Sequence, residues 1–109
     1  MQKEEKFKVS LDANAQIIKF NETAEKISGY TKDEVIGKNW FKIFIDDDNL
    51  VDILQVFYDL FYGKDMHWEY TNNIVCKDGG YKKIKWQNNI IKDDDNKPIL
   101  IDSSGIFID

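Results

Sequence analysis

The side chains that could perform acid–base, nucleophilic or metal chemistry are few and scattered along this chain. The 109 residues include one histidine, His67, and one cysteine, Cys76. No serine stands in a G-x-S-x-G turn, and no glycine-rich phosphate motif occurs. The acidic runs 46–48 and 93–95 lack the alternating ligands, central glycine and closing glutamate of a calcium loop, so helix capping and turn formation explain them. The sequence therefore predicts neither a catalytic centre nor a metal site.

Ligand binding is indicated instead by amides within apolar strand faces. Alternation places Asn72 on the same face as Tyr70 and Ile74, and Asn88 on the same face of the next strand as Trp86. A buried amide without a partner costs on the order of 1–3 kcal/mol. Two explanations stay open: a small-molecule pocket that these amides border, and an Asn72–Asn88 hydrogen bond or a buried water that satisfies them.

The elements that would position these residues follow from the periodicity of apolar residues. The pattern predicts strands at 7–11 and 17–20, helices at 22–28, 32–36, 40–44 and about 47–62, and strands at 68–76, 83–90 and 99–108. Two strands, then helices, then three strands indicate an α+β fold, with one antiparallel sheet and helices on one face.

The segment GYTKDEVIGKNW, from Gly29 to Trp40, is the strongest local signal. Gly29 suits the left-handed residue that ends a helix, and Thr31 with Glu34 has the spacing of a capping box. The surrounding string IIKFNETAEKISGYTKDEVIGKNWFKIFIDDD resembles the first half of a PAS domain, while KDGGYKKIKW and GIFID resemble its second half. The resemblance covers 7–109 and leaves 1–6 as an N-terminal flanking segment. It implies a five-stranded sheet in the order 2-1-5-4-3, with a pocket between sheet and helices.

The resemblance also implies a function. PAS domains are sensory modules of signalling proteins, and we expect this one to be cut from a bacterial or archaeal histidine kinase or cyclic-di-nucleotide enzyme, because GIFID matches the element that leads into a helical linker. We expect a small molecule in the pocket and a signal relayed through the last strand, with no catalysis by the domain itself. The candidate pocket residues are Phe20, Trp40, Phe57, Tyr70, Asn72, Ile74, Trp86, Asn88 and Ser103. A ligand-free dimerisation module and a non-covalent flavin redox sensor are the alternatives.

The resemblance also indicates which residues the family's cofactors would require. Haem-binding relatives take their axial histidine from the long helix, which has none here; His67 falls on the strand face opposite Tyr70 and Asn72, so haem is not expected. Light-oxygen-voltage domains carry a photoadduct-forming cysteine where Trp40 stands, which excludes that photochemistry. Trp40 could stack on a non-covalent flavin or simply fill the core.

Net charge and hydropathy argue against two classes of partner, nucleic acids and membranes. The net charge of −5, without a long basic cluster, argues against nucleic acid. There is no membrane-spanning apolar run and no signal peptide at the start, and a lone cysteine suits the cytoplasm.

The last strand predicts self-association. Its inward face carries Ile101 and Ser103, yet its other face also carries Leu100, Ile106 and Ile108. A strand that is apolar on both faces is typical of burial on both sides. We therefore expect a homodimer through the outer sheet face, with residues 1–7 lying across it.

Overall fold

Five antiparallel strands form one sheet in the order β2-β1-β5-β4-β3 in the computed structural model, which describes residues 5–63 and 69–108. The elements are β1 (Phe7–Asp12), β2 (Ile17–Phe20), α1 (Glu22–Ser28), α2 (Lys32–Val35), α3 (Trp40–Phe44), α4 (Leu50–Phe61), β3 (Glu69–Val75), β4 (Tyr81–Lys92) and β5 (Pro98–Ile108). The predicted fold class and strand order are confirmed. His67, Trp68 and Asp109 lie outside the described residues, so the predicted orientation of His67 remains a prediction.

The first helix is held at both ends by the residues expected to cap it. The Asn21 Oδ1 accepts from the backbone N–H of Ala24 at 2.9 Å and from that of Lys8 at 3.0 Å, so one side chain joins α1 to β1. Gly29 ends α1 with φ of +84°, which a residue with a Cβ rarely adopts. These caps fix where the chain leaves the sheet.

The predicted capping box of α2 is present and is tied to the sheet. The Thr31 N–H donates to Glu34 Oε1 at 2.8 Å, and the Lys77 Nζ lies 2.6 Å from Glu34 Oε2. These hydrogen bonds, chiefly the one from Lys77, lower the pKa of Glu34 to about 2. The pair links α2 to the β3–β4 turn.

The long helix begins later than the sequence pattern suggests. The Asp46 Oδ1 accepts from the Asn49 backbone at 3.2 Å and from its side chain at 2.8 Å, so the acidic run forms a turn before the helix. Ile53, Phe57 and Leu60 form the buried face of α4. Within 5–63 and 69–108, no helix has the length and apolar composition needed to cross a bilayer.

The central strand β5 pairs with β1 on one side and β4 on the other. Gly105 lies opposite both Phe7 and Trp86. A Cβ at Gly105 would clash with Ile84 and would approach the Trp86 ring to 2.7 Å. Glycine is therefore needed here for close approach, because the indole of Trp86 crosses over β5.

Aromatic rings fill the core around one fully buried side chain. The ring of Phe7 makes edge contacts with those of Phe20, Trp40, Phe44 and Trp86, at centroid distances of 5.5, 6.1, 6.5 and 5.2 Å. Because these residues come from β1, β2, α3 and β4, this cluster fixes the helices against the sheet.

Candidate functional site

An internal cavity of about 70 Å³ lies between α3, α4 and the inner face of the sheet. Its lining is mostly aliphatic and aromatic, with a few amide and hydroxyl groups. The lining residues are Val9, Leu11, Trp40, Phe41, Ile53, Val56, Phe57, Leu60, Tyr70, Asn72, Trp86, Asn88, Ile101 and Ser103. Every strand except β2 contributes to the wall.

Most of the candidate pocket residues line this cavity, and two do not. Trp40, Phe57, Tyr70, Asn72, Trp86, Asn88 and Ser103 are in its wall. Phe20 and Ile74 do not lie in this wall. The ring of Phe20 packs against Phe7 at 5.5 Å and stacks on Phe44 at 5.9 Å, at the edge strand. Ile74 is fully buried but lies opposite Lys82, nearer to the β3–β4 turn.

The lining residues that sequence reasoning missed are all apolar. They are Val9, Leu11, Phe41, Ile53, Val56, Leu60 and Ile101. Their alternation and helical spacing were visible, but the same pattern marks ordinary core residues. Only the three-dimensional gap between α4 and the sheet distinguishes a cavity wall from a packed core.

The oxygens of the two amides accept hydrogen bonds from other residues, not from each other's amide groups. The Trp86 Nε1–H donates to Asn72 Oδ1 at 2.7 Å, and the Ser103 hydroxyl donates to Asn88 Oδ1 at 2.7 Å. The Asn72–Asn88 hydrogen bond left open by the sequence does not form. The register explains this, because Tyr70 lies opposite Trp86, which makes Trp86 the diagonal neighbour of Asn72.

Trp40 is both a core residue and part of the cavity wall. Its ring centroid lies 4.3 Å from that of Phe44 and 5.8 Å from that of Trp86, and the side chain is buried. Sites for drug-sized ligands measure about 300–1,000 Å³. The cavity here measures about 70 Å³. It is therefore too small for a flavin or a haem in this arrangement of side chains.

The cysteine and the tyrosine with raised pKa values both lie away from the cavity. Burial raises the pKa of the Cys76 thiol, although the charge of Lys82 opposes the shift, and a hydrogen bond to Asp46 raises the pKa of Tyr81. Neither residue belongs to the wall. Among residues 5–63 and 69–108, no cluster of His, Cys, Asp or Glu is arranged to hold a metal ion.

A second recess lies between the end of α1 and the β3–β4 turn. Its volume is about 370 Å³, and its lining includes Lys26, Lys77 and Lys82. Each of these ammonium groups already has a partner: Glu22, Glu34 and the Ile27 carbonyl, respectively. The internal cavity is the better candidate site, because it combines an apolar wall with convergent polar groups.

The central strand carries hydrogen bonds on both of its faces at adjacent residues. Ser103 bonds to Asn88 inside the cavity, while Asp102 accepts a hydrogen bond from Ser10 of β1 on the outer face. β5 is therefore linked by side chains to β4 on one face and to β1 on the other.

The outer face of β5 is partly apolar, as its alternation predicts. Leu100, Ile106 and Ile108 there are half-buried within the single chain. Ile99 and Phe107, on the opposite face, are 43% and 44% exposed because they stand near the strand ends, away from the helices. The structure describes one chain, so self-association remains a prediction.

Solved structures of low sequence identity share this fold. The PAS domain of the Cronobacter turicensis quorum-sensing receptor RpfR, in complex with BDSF, is 22% identical, covers 100% of this chain and 99% of its own, and superposes with a TM-score of 0.78. The PAS-B domain of Drosophila melanogaster Cycle with bound ethylene glycol is 13% identical, over 94% and 99% of the two chains, with a TM-score of 0.77. A Rhodobacter sphaeroides LOV protein is 12% identical over 96% of this chain and 60% of its own, with a TM-score of 0.78.

Sequence comparison gives the family directly. No curated protein matches the chain. A sequence model described as the PAS fold matches residues 17–104, which include β2 to β4, all the helices and most of β5. Together with the observed strand order, this match establishes that the chain belongs to the PAS fold family.

Proposed function

We propose that this PAS sensory domain binds a small molecule in the internal cavity and relays binding through β5. The observation that supports this proposal is the composition of the wall, which is mostly apolar and whose hydrogen-bonding residues include Ser103 of β5. PAS domains of similar fold have been solved with BDSF and with ethylene glycol.

The relay follows from a difference in affinity between two arrangements of the sheet. A ligand that competes for Asn88 or Ser103 favours the arrangement in which their mutual hydrogen bond is altered. Ser103 pairs with Val9 as well as Asn88, so its movement reaches both neighbours of β5. The segment after β5 is where a host protein would read the change.

The host protein in this proposal is a histidine kinase or a cyclic-di-nucleotide enzyme of a prokaryote, located in the cytoplasm. The domain supplies sensing and the host supplies catalysis. Cys76, the single cysteine of the chain, is buried and free, which suits a reducing compartment.

Native mass spectrometry with a blocked variant tests ligand binding. Val56 lines the cavity from α4, so Val56→Phe should fill it, whereas Val51→Phe adds the same ring at a position 78% exposed on the same helix. We expect wild type and Val51→Phe to retain a bound small molecule that Val56→Phe loses. Equal occupancy in all three proteins would place the ligand elsewhere, and a flavin-like yellow absorbance would favour the redox alternative.

A ligand-free dimerisation module is the second candidate function. It is favoured by the apolar side chains Leu100, Ile106 and Ile108 on the outer face of the central strand. The two functions are compatible, and each has its own test.

A further inference from the structure

Among residues 5–63 and 69–108, no acidic or basic side chain lines the internal cavity. The members of its wall are aliphatic, aromatic, amide or hydroxyl residues. An ionised ligand in this pocket would lose part of its hydration without gaining a countercharge from the described residues, which is unfavourable. The wall therefore discriminates against both anions and cations.

The orientation of one amide in this wall is determined by its partner. The indole Nε1–H of Trp86 is a donor only, so the Asn72 atom that it contacts at 2.7 Å must be the amide oxygen. The Nδ2 group consequently points away from the indole. In contrast, the Asn88–Ser103 contact does not fix the amide in the same way, because a hydroxyl both donates and accepts.

The Asn72 amide nitrogen is available to a ligand. Among the described residues, Asn72 Nδ2 has no hydrogen-bond partner. Every fully buried polar side-chain atom in this part of the chain does have a partner. Asn72 Nδ2 is therefore not fully buried, and a water-sized molecule can reach it. Asn72 lines the cavity. Its two N–H bonds can be satisfied by a hydrogen-bond acceptor.

Volume limits the size of the molecule. The cavity measures about 70 Å³, and one water occupies roughly 30 Å³ of liquid. A ligand of more than a few heavy atoms must therefore displace side chains of α4 such as Val56.

We propose that the cavity selects a compact, uncharged, mainly apolar molecule with one hydrogen-bond acceptor, such as a ketone carbonyl, which accepts from Asn72 Nδ2. The hydrocarbon part lies against Ile53 and Val56 of α4. This ligand class rests on the proposed small-molecule function and deepens it.

A matched set of probes tests the ligand class. 2-Pentanone, n-pentane, pentanoate and n-pentylammonium are similar in length and differ in their end groups, and protein-observed NMR at neutral pH reports which of them shifts the resonances of the cavity residues. We expect 2-pentanone to bind at least tenfold more tightly than either ion and severalfold more tightly than pentane. Equal binding of pentanoate would overturn the exclusion of charge, and equal binding of pentane would overturn the role of the acceptor.

The variant Asn72→Asp tests the donor itself. A carboxylate keeps an oxygen facing Trp86 but removes the N–H donors, so the order of affinity should reverse, with 2-pentanone weakened at least tenfold and n-pentylammonium strengthened. Asn73→Asp is the matched control, since it introduces the same charge at the exposed neighbouring residue of β3. The indole N–H resonance of Trp86 should keep its position in Asn72→Asp if the fold is unchanged.

These experiments distinguish a failure of the proposed ligand class from a failure of the proposed ligand-binding function. If Asn72→Asp binds 2-pentanone as wild type does, the ligand class is wrong, while ligand loss in Val56→Phe still supports a sensory cavity. If no probe in the set binds wild type, the ligand class is overturned, and the mass measurements on Val56→Phe and Val51→Phe decide independently whether the cavity is a ligand site.

Discussion

Trp86 connects the candidate site to the central strand through its two edges. Its indole N–H donates to Asn72 in the cavity wall, and its six-membered ring lies 2.7 Å from the position that a Cβ on Gly105 would take. The same side chain also contacts Phe7 and Trp40. A change at Gly105 should therefore be felt in the cavity, although Gly105 does not line it.

Gly105→Ala tests this connection. The added methyl group would approach the Trp86 ring to 2.7 Å, and overpacking of this kind costs about 1–3 kcal/mol. We expect that loss in urea unfolding, together with a shifted indole N–H resonance for Trp86. Gly80→Ala is the control, because its Cβ would meet only the Asp78 carboxylate at 3.1 Å, and it should change stability by no more than about 0.5 kcal/mol. A normal Trp86 resonance in Gly105→Ala would contradict the proposed contact.

The sequence predicts the helix caps correctly, because each cap depends on one or two nearby side chains. Asn21, Gly29 and the Thr31–Glu34 pair cap their helices as expected, because capping depends on spacing within a few residues. The partners of Asn72 and Asn88 were less predictable. Alternation placed both amides on the inward face, but which groups they meet depends on the register between strands, and that register is a long-range property.

At the scale of elements, α4 forms one side of the cavity and packs through aromatic contacts. The ring of Phe57 lies 5.4 Å from that of Phe41 and 5.6 Å from that of Phe61. Strand and helix positions followed from periodicity, whereas the start of α4 did not, because the side chain of Asp46 stabilises a turn that the pattern alone cannot reveal.

Phe57→Ala should destabilise the domain by about 3–5 kcal/mol, because it removes a buried ring and enlarges the cavity. Val51→Ala, on the exposed face of the same helix, should change the free energy of unfolding by no more than about 0.5 kcal/mol. Urea melts of the two variants measure the difference. A loss below about 1 kcal/mol for Phe57→Ala would mean that α4 packs loosely against the sheet.

At the scale of the whole molecule, the helices cover one face of the sheet, and no helix in residues 5–63 or 69–108 covers the other face. Leu100, Ile106 and Ile108 lie there, near charged side chains such as Lys83 and Lys85 of β4. The net charge of −5 opposes association of two copies at low salt. Any dimer of the isolated domain should therefore strengthen as ionic strength rises.

Ile106→Glu should abolish self-association, because it places a charge at the centre of the apolar outer face. Val51→Glu introduces the same charge on the exposed side of α4 and should leave association unchanged. Sedimentation over a wide range of concentrations, at about 0.15 M salt to reduce repulsion, distinguishes the two variants. If wild type and Ile106→Glu are both monomeric throughout, the outer face is not a self-association site.

The pairing of Phe7 with Gly105 has a consequence for protein engineering. Because the first residue of β1 lies beside a residue near the end of β5, the polypeptide enters and leaves the sheet at neighbouring points. An acceptor protein could therefore receive residues 7–108 within a surface loop while its own flanking segments stay close together. In such a fusion, the pairing of β1 with β5 would set the distance between the acceptor's two flanking segments. A change in that pairing would then change the distance, which is what a reporter needs.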